Sequence, residues 1–89
     1  MSSREFIDAP VDVQVRILPD ERLQPAAFIW QGHTLEIADW GREWDEGHGG
    51  ATWRCYLVRT ADSTTFELRH NQETKQWVLA RAWRRSVAG

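Results

Sequence analysis

Apolar residues at every second position constrain this chain more than any other feature. Val11, Val13, Val15 and Ile17 alternate with Asp12, Gln14 and Arg16. A spacing of two puts the apolar side chains on one face of an extended strand, and β-branched residues suit that backbone. One face is then buried and the other wet, as in an antiparallel sheet. A helix would need apolar residues every three or four positions over a long window, and no stretch of the sequence supplies them.

The same reading carries through the chain. Pro19 ends the first strand, at residues 11–18, and the segment PDERLQP is a loop closed by Pro25. Residues 26–30 and 34–38 form the next two strands, joined by a tight turn at Gln31, Gly32 and His33 in which Gly32 supplies the positive φ. Phe28 and Trp30 share a face, as do Leu35 and Ile37, so both pairs point into one core. Trp40 and Trp44 follow, four apart, which is one face of a helical turn; Gly41 between them disfavours a helix, and an irregular strand or bulge is the other option. Residues 45–50, with three glycines, read as an acidic loop and the most mobile segment.

Residues 53–59 have apolar side chains on both faces, Trp53, Cys55 and Leu57 against Tyr56 and Val58, and so predict a central strand. In residues 64–70, Phe66 and Leu68 alternate with Glu67 and Arg69, and residues 76–83 form the last strand, with Trp77 and Leu79 opposing Val78 and Ala80. The fold class expected is all-β: an antiparallel meander of about six strands forming a small barrel or roll. Residues 11–83 make the single domain, residues 1–10 a flexible N-terminus and residues 84–89 a polar tail.

Length sets the energetic frame. A chain of 89 residues buries only about 60–65% of its unfolded surface, near the lower limit for a self-sufficient core. Six tryptophans offset part of the shortfall, and pairing of two copies into a homodimer would offset more. Cys55 is the single cysteine, which excludes an internal disulfide and a four-cysteine zinc site. The start, MSSREFIDAP, has no apolar run behind a basic segment, and no stretch reaches the ~18 apolar residues of a membrane span. A cytoplasmic chain with no membrane partner is expected. Charge is uneven: residues 1–53 carry four basic and ten acidic groups, residues 54–89 seven basic and three acidic. The split either presents a signed patch to a partner or pairs internally across the fold; charge blocks are usually solvated faces, which favours the second.

No catalytic constellation emerges. His33, His48 and His70 are dispersed, and only His48 has carboxylates close in sequence, Asp45 and Glu46. A structural zinc site holds four ligands rigidly, so neither a metal nor a cofactor is expected. Ser63 lacks a nucleophile elbow, and Cys55, alternating with Trp53 and Leu57, reads as core and not as a reactive thiol. Gly47, Gly49 and Gly50 lack the Lys-Ser/Thr and helix of a phosphate loop. The chain is expected not to be an enzyme.

Two surfaces carry binding chemistry. Trp40, Trp44, Asp45 and Glu46 combine indole rings with an acidic segment, a composition suited to docking a protein partner; the competing role is to cap the open end of the core. Lys75, Arg81, Trp83, Arg84 and Arg85, with Arg54, Arg59 and Arg69 on neighbouring strands, place basic groups beside an aromatic ring, which suits a single-stranded backbone with a stacked base. A pI near 5.9 argues against strong nucleic-acid binding, and a basic edge also prevents unwanted strand pairing.

The order of features also carries a resemblance. Phe28, Trp30 and Gly32 are followed by Leu35 and Ile37, by Trp40 and Trp44, by a glycine-rich loop, by Arg54, Tyr56 and Val58, by Phe66, Glu67 and Leu68, and by Trp77 and Leu79. This run, over roughly residues 10–83, resembles a family of short bacterial all-β domains of unknown function. Similar domains lie behind Y-family translesion polymerases and their catalytically inactive ImuB-type relatives. The resemblance implies an accessory or interaction module in DNA damage tolerance, with a Y-family polymerase or repair component as its protein partner. Here no polymerase body accompanies the domain, so such a link would act between chains. The alternative is a weak single-stranded nucleic-acid-binding domain using the arginine-rich C-terminal face.

Overall fold

The computed structural model describes residues 2–85, and side chains for residues 4–84. Seven strands occur in order: β1 (Ser2–Pro10), β2 (Asp12–Ile17), β3 (Leu23–Trp30), β4 (His33–His48), β5 (Ala51–Thr60), β6 (Thr65–Asn71) and β7 (Trp77–Arg85). They form one antiparallel sheet in the order β1-β7-β6-β5-β4-β3-β2. The all-β meander expected from the alternation is therefore present, with one strand more than expected. Residues 2–10, expected to be loose, are strand β1, whose Arg4, Glu5 and Phe6 pair with Trp83, Ala82 and Arg81. Nothing in the alternation of that segment marks it as a strand, because its pairing is to the far end of the chain.

β1 and β2 are consecutive in sequence yet lie at opposite ends of the strand order. One residue, Val11, separates them, and its N–H donates to Trp77 O at 3.1 Å. A single residue spans only about 3.8 Å, so the sheet must bend until its two outermost strands meet there. The sheet is nonetheless not closed into a barrel by a continuous ladder.

β4 carries the bend. Its first residues pair with β3, as far as Ala27 opposite Glu36, and from Ile37 onward it pairs with β5. Leu23 and Pro25 of β3 thus have no ladder partner in β4 and are tied instead by Trp40 Nε1 donating to Pro25 O (2.6 Å) and Tyr56 OH donating to Leu23 O (3.5 Å). Two register shifts in β4, between Ile37 and Asp39 and between Trp40 and Glu43, mark where the strand changes direction.

Both hairpin turns flanking β4 have two residues at positive φ. Gln31 and Gly32 (51° and 78°) link Trp30 to His33, and Gly49 and Gly50 (61° and 80°) link His48 to Ala51. That is the turn that matches the twist of an antiparallel pair. The acidic loop expected over residues 45–50 is accordingly only Gly49 and Gly50: Asp45 to His48 continue the strand, opposite Arg54, Trp53, Thr52 and Ala51.

The core lies on one face. Phe28, Ile37, Tyr56, Val58, Phe66, Leu68, Trp77, Leu79 and Ala82 form it, with Trp30, Leu35 and Val13 packed at its margin. Phe28 and Phe66 meet edge to face at 5.0 Å. β5 is central, as its two apolar faces predict. β2 departs from expectation in its second half: Val15 and Ile17 are exposed, Ile17 at 71%, because they lie beyond the strands they would need to pack on.

Candidate functional site

Directly opposed residues in antiparallel strands share a face. The register therefore sorts β5, β6 and β7 into two surfaces. Tyr56, Leu68 and Leu79 are aligned on the core face, as are Val58, Phe66 and Ala82. The other face aligns Leu57, Glu67 and Arg81, and the row continues to Phe6 of β1. Beside it run Cys55 opposite Arg69, Trp44 opposite Cys55, and Trp83 opposite Thr65 and Arg4.

This second face is not a solvated one. Glu67 is 1% exposed at its centre. Its carboxylate accepts from Arg69 Nε at 2.6 Å and from Arg81 Nε at 3.1 Å, and Arg81 Nη2 lies 2.8 Å away. An isolated carboxylate at that depth would neutralise or stay exposed; two guanidinium partners are what let it remain buried and charged. Burial alone would lower the Arg69 pKa, but the hydrogen bond and charge of Glu67, with Glu46 adding to them, raise it above its ordinary value. The second shared acid, Glu46, accepts from Trp44 Nε1 at 2.8 Å and lies 4.0 Å from Arg69. The Trp44 hydrogen bond, opposed by desolvation and helped by Arg69, holds the Glu46 carboxyl below its ordinary value.

Aromatic rings line the basic groups. The Arg81 guanidinium stands 5.8 Å from the Phe6 ring and 5.5 Å from the Trp83 ring, and Arg4 is 5.0 Å from Phe6. Between Phe6, Asp8, His48, Trp53, Arg69 and Arg81 lies a half-open cavity of about 350 Å³. Cys55 sits beneath this layer, fully buried; burial pushes its thiol up to about 12, with Arg69 opposing and Glu46 and Glu67 adding to the rise.

The residues singled out from sequence are redistributed by the pleat. Trp44 and Glu46 meet on the second face, opposite Cys55 and Trp53. Asp45 pairs with Arg54 at 3.1 Å, and Trp40 stands opposite Val58, so both belong to the other side of β4. Trp40 is 37% exposed, bonded to Pro25 O and overlain by Arg16 at 5.5 Å. Trp40, Trp44, Asp45 and Glu46 are thus not one patch. Of the C-terminal group, Arg81 and Trp83 share the second face, while Arg84, exposed, follows Trp83 onto the opposite one. The Arg85 side chain and residues 86–89 lie outside the described residues.

Sequence reasoning missed Phe6, Asp8, Trp53 and Glu67 as neighbours of Arg69 and Arg81. The available signal was Glu67 and Arg69 alternating with Phe66 and Leu68, which marks a second face but not its burial. Among the described residues, no three His, Cys, Asp or Glu side chains gather as a metal-holding group, and no helix is long and apolar enough to cross a membrane. Comparison with protein-family models, curated proteins and solved structures finds no match.

Proposed function

We propose that the chain is a non-enzymatic interaction module that works beside DNA-repair or translesion machinery, on a sheet bent into a small roll. The observation that carries the interaction reading is the second face of β5–β7, where Glu67 holds Arg69 and Arg81 among Phe6, Trp53 and Trp83. Arginine and tryptophan dominate binding hot spots, and side chains already fixed lose less entropy when a partner docks. The repair context comes from the resemblance of residues 10–83 to domains found with Y-family polymerases. A photo-crosslinking residue in place of Phe6, in cells that naturally carry the chain, tests the reading. Identification of a polymerase or repair component there, and not with the same residue in place of exposed Glu73, is expected. Equal capture at both positions, or capture of unrelated proteins alone, contradicts it.

A second reading is single-stranded nucleic-acid binding by the Arg81 and Trp83 surface, favoured by the alternation Arg4, Phe6, Arg81 and Trp83 across β1 and β7. Titration of labelled single strands at several salt concentrations tests it. Affinity falling with salt and with Arg81→Gln and Arg84→Gln is expected; a flat salt response contradicts it.

A further inference from the structure

The cavity between β1, β4, β5, β6 and β7 has a donor arrangement that the ion triad alone does not require. Arg69 gives Nε to Glu67 and has its Nη2 4.0 Å from Glu46, and Arg81 gives Nε and Nη2 to Glu67, so each guanidinium keeps N–H groups with no hydrogen-bond partner among the described residues. Both arginines line the cavity, while the Glu67 that orients them is 1% exposed. Two cations here meet two carboxylates, Glu67 and, 4.0 Å from Arg69, Glu46, so what the arginines offer a ligand is aimed N–H donors and not an excess of positive charge. A buried carboxylate is costly, and its effect here is to hold two arginines in one geometry facing an open space.

The remaining walls are specific. Trp53 supplies an indole, its Nε1 occupied by His48 O at 3.3 Å, and Phe6, 69% exposed, supplies a second ring. Asp8 lines the same space as an acceptor. It sits in the β1 bulge between Phe6 and Ala9 at φ 54°, a conformation that costs energy for a residue other than glycine. A bulge re-aims a side chain relative to its strand. Fixed cations, flat rings and an acceptor in about 350 Å³ match one phosphate, one planar base and its amino or sugar donor.

We propose that this cavity binds one nucleotide unit of a single-stranded nucleic acid, with the phosphate on Arg69 and Arg81, the base on Trp53 and Phe6, and Asp8 accepting from the base or sugar. The proposal rests on the nucleic-acid reading and names the pocket that reading lacks. Sugar chemistry is common to DNA and RNA strands up to the 2′-hydroxyl, which Asp8 can accept from.

The test uses the full chain and fluorescence anisotropy with labelled oligothymidylate and oligouridylate about 12 nucleotides long, within the site sizes of single-strand binders. Trp53→Ala and Phe6→Ala are each expected to weaken binding about tenfold, the loss of one stacked base. Arg69→Gln is expected to lower the salt slope by about 0.7, one phosphate contact on a single strand. Arg59→Ala, at the far groove beside Asp39, is expected to leave affinity unchanged. Phe6 is exposed, so that variant retains the fold. A tighter grip on oligouridylate that Asp8→Ala abolishes assigns the ligand as RNA; equal affinities assign it by the base and phosphate alone. Binding that is lost on Trp83→Ala but indifferent to Phe6→Ala, Trp53→Ala and Arg69→Gln overturns the cavity proposal and leaves the nucleic-acid reading standing. No binding of either strand overturns both.

Discussion

The two faces of β5, β6 and β7 exclude water by opposite means. On one, Tyr56, Val58, Phe66, Leu68 and Leu79 pack with Phe28 into an apolar core. On the other, set by the alternate residues of the same strands, Cys55, Glu67 and Ala80 are equally buried, but beneath an ion triad and aromatic rings. Apolar packing is non-directional and tolerates rearrangement if volume is kept. Hydrogen-bonded ions are directional, cost desolvation, and hold donors at fixed positions. A small domain with little core to spare gains stability from the first face; the second holds donors in fixed geometry at a cost in desolvation.

Mutation separates the two. Leu68 is fully buried on the core face, and Leu68→Ala should cost about 3 kcal/mol in urea unfolding, transfer and cavity terms together. Glu67→Gln should cost less, about 2 kcal/mol, because Arg69 and Arg81 still reach water and escape the full ~3–5 kcal/mol of a broken buried pair. In the Glu67→Gln, Arg81→Gln double variant the two losses should fall short of additive, as expected of contacting partners. A Glu67→Gln cost equal to that of Leu68→Ala would mean that Arg69 and Arg81 do not escape the penalty of a broken buried pair.

Smaller effects sharpen the contrast. His70 stacks on Trp77 at 4.2 Å, and burial lowers its pKa below 6.5. The unfolded chain then binds this proton more readily, so stability is complete above 6.5 and falls as the pH drops toward the folded value. His70→Gln should remove that portion of the pH dependence; an unchanged profile would place its origin elsewhere. Smallest of all is the behaviour of Cys55. With its thiol at about 12 and no exposed surface, it should resist aromatic disulfide reagents at neutral pH until the chain unfolds. Rapid labelling of the folded protein would show that the arginine and aromatic layer opens.

Strand chemistry was legible where the pattern is local. The alternation around Val13, the Gln31 and Gly32 turn, and the two apolar faces of residues 53–59 each reflect near neighbours in sequence. What escaped depends on partners remote in the chain. Phe6 sits in a strand because β7 lies beside it, and Asp45 to His48 extend β4 because Arg54 and Trp53 face them, although the acids and glycines there have loop composition. Glu67 looked like a solvent-facing residue of an alternating strand. Only the register, with Arg81 opposite and Arg69 two positions along, makes its burial tolerable. The candidate site was half legible: Arg81, Trp83, Trp44 and Glu46 belong to the second face, whereas Trp40 and Asp45 were grouped with Trp44 and Glu46 by sequence proximity and the pleat sends them elsewhere.

The central claim is that the cavity on the second face is a prepared nucleotide site and not only a lid on the sheet. Backbone amide NMR of the protein titrated with oligothymidylate tests it most directly. The account predicts shifts concentrated at Phe6, Asp8, His48, Trp53, Arg69 and Arg81, with the core face and the β2–β3 hairpin unmoved. Shifts gathered instead around Trp40 and Arg59 or along Val15 and Ile17, or no shifts at all, would contradict it.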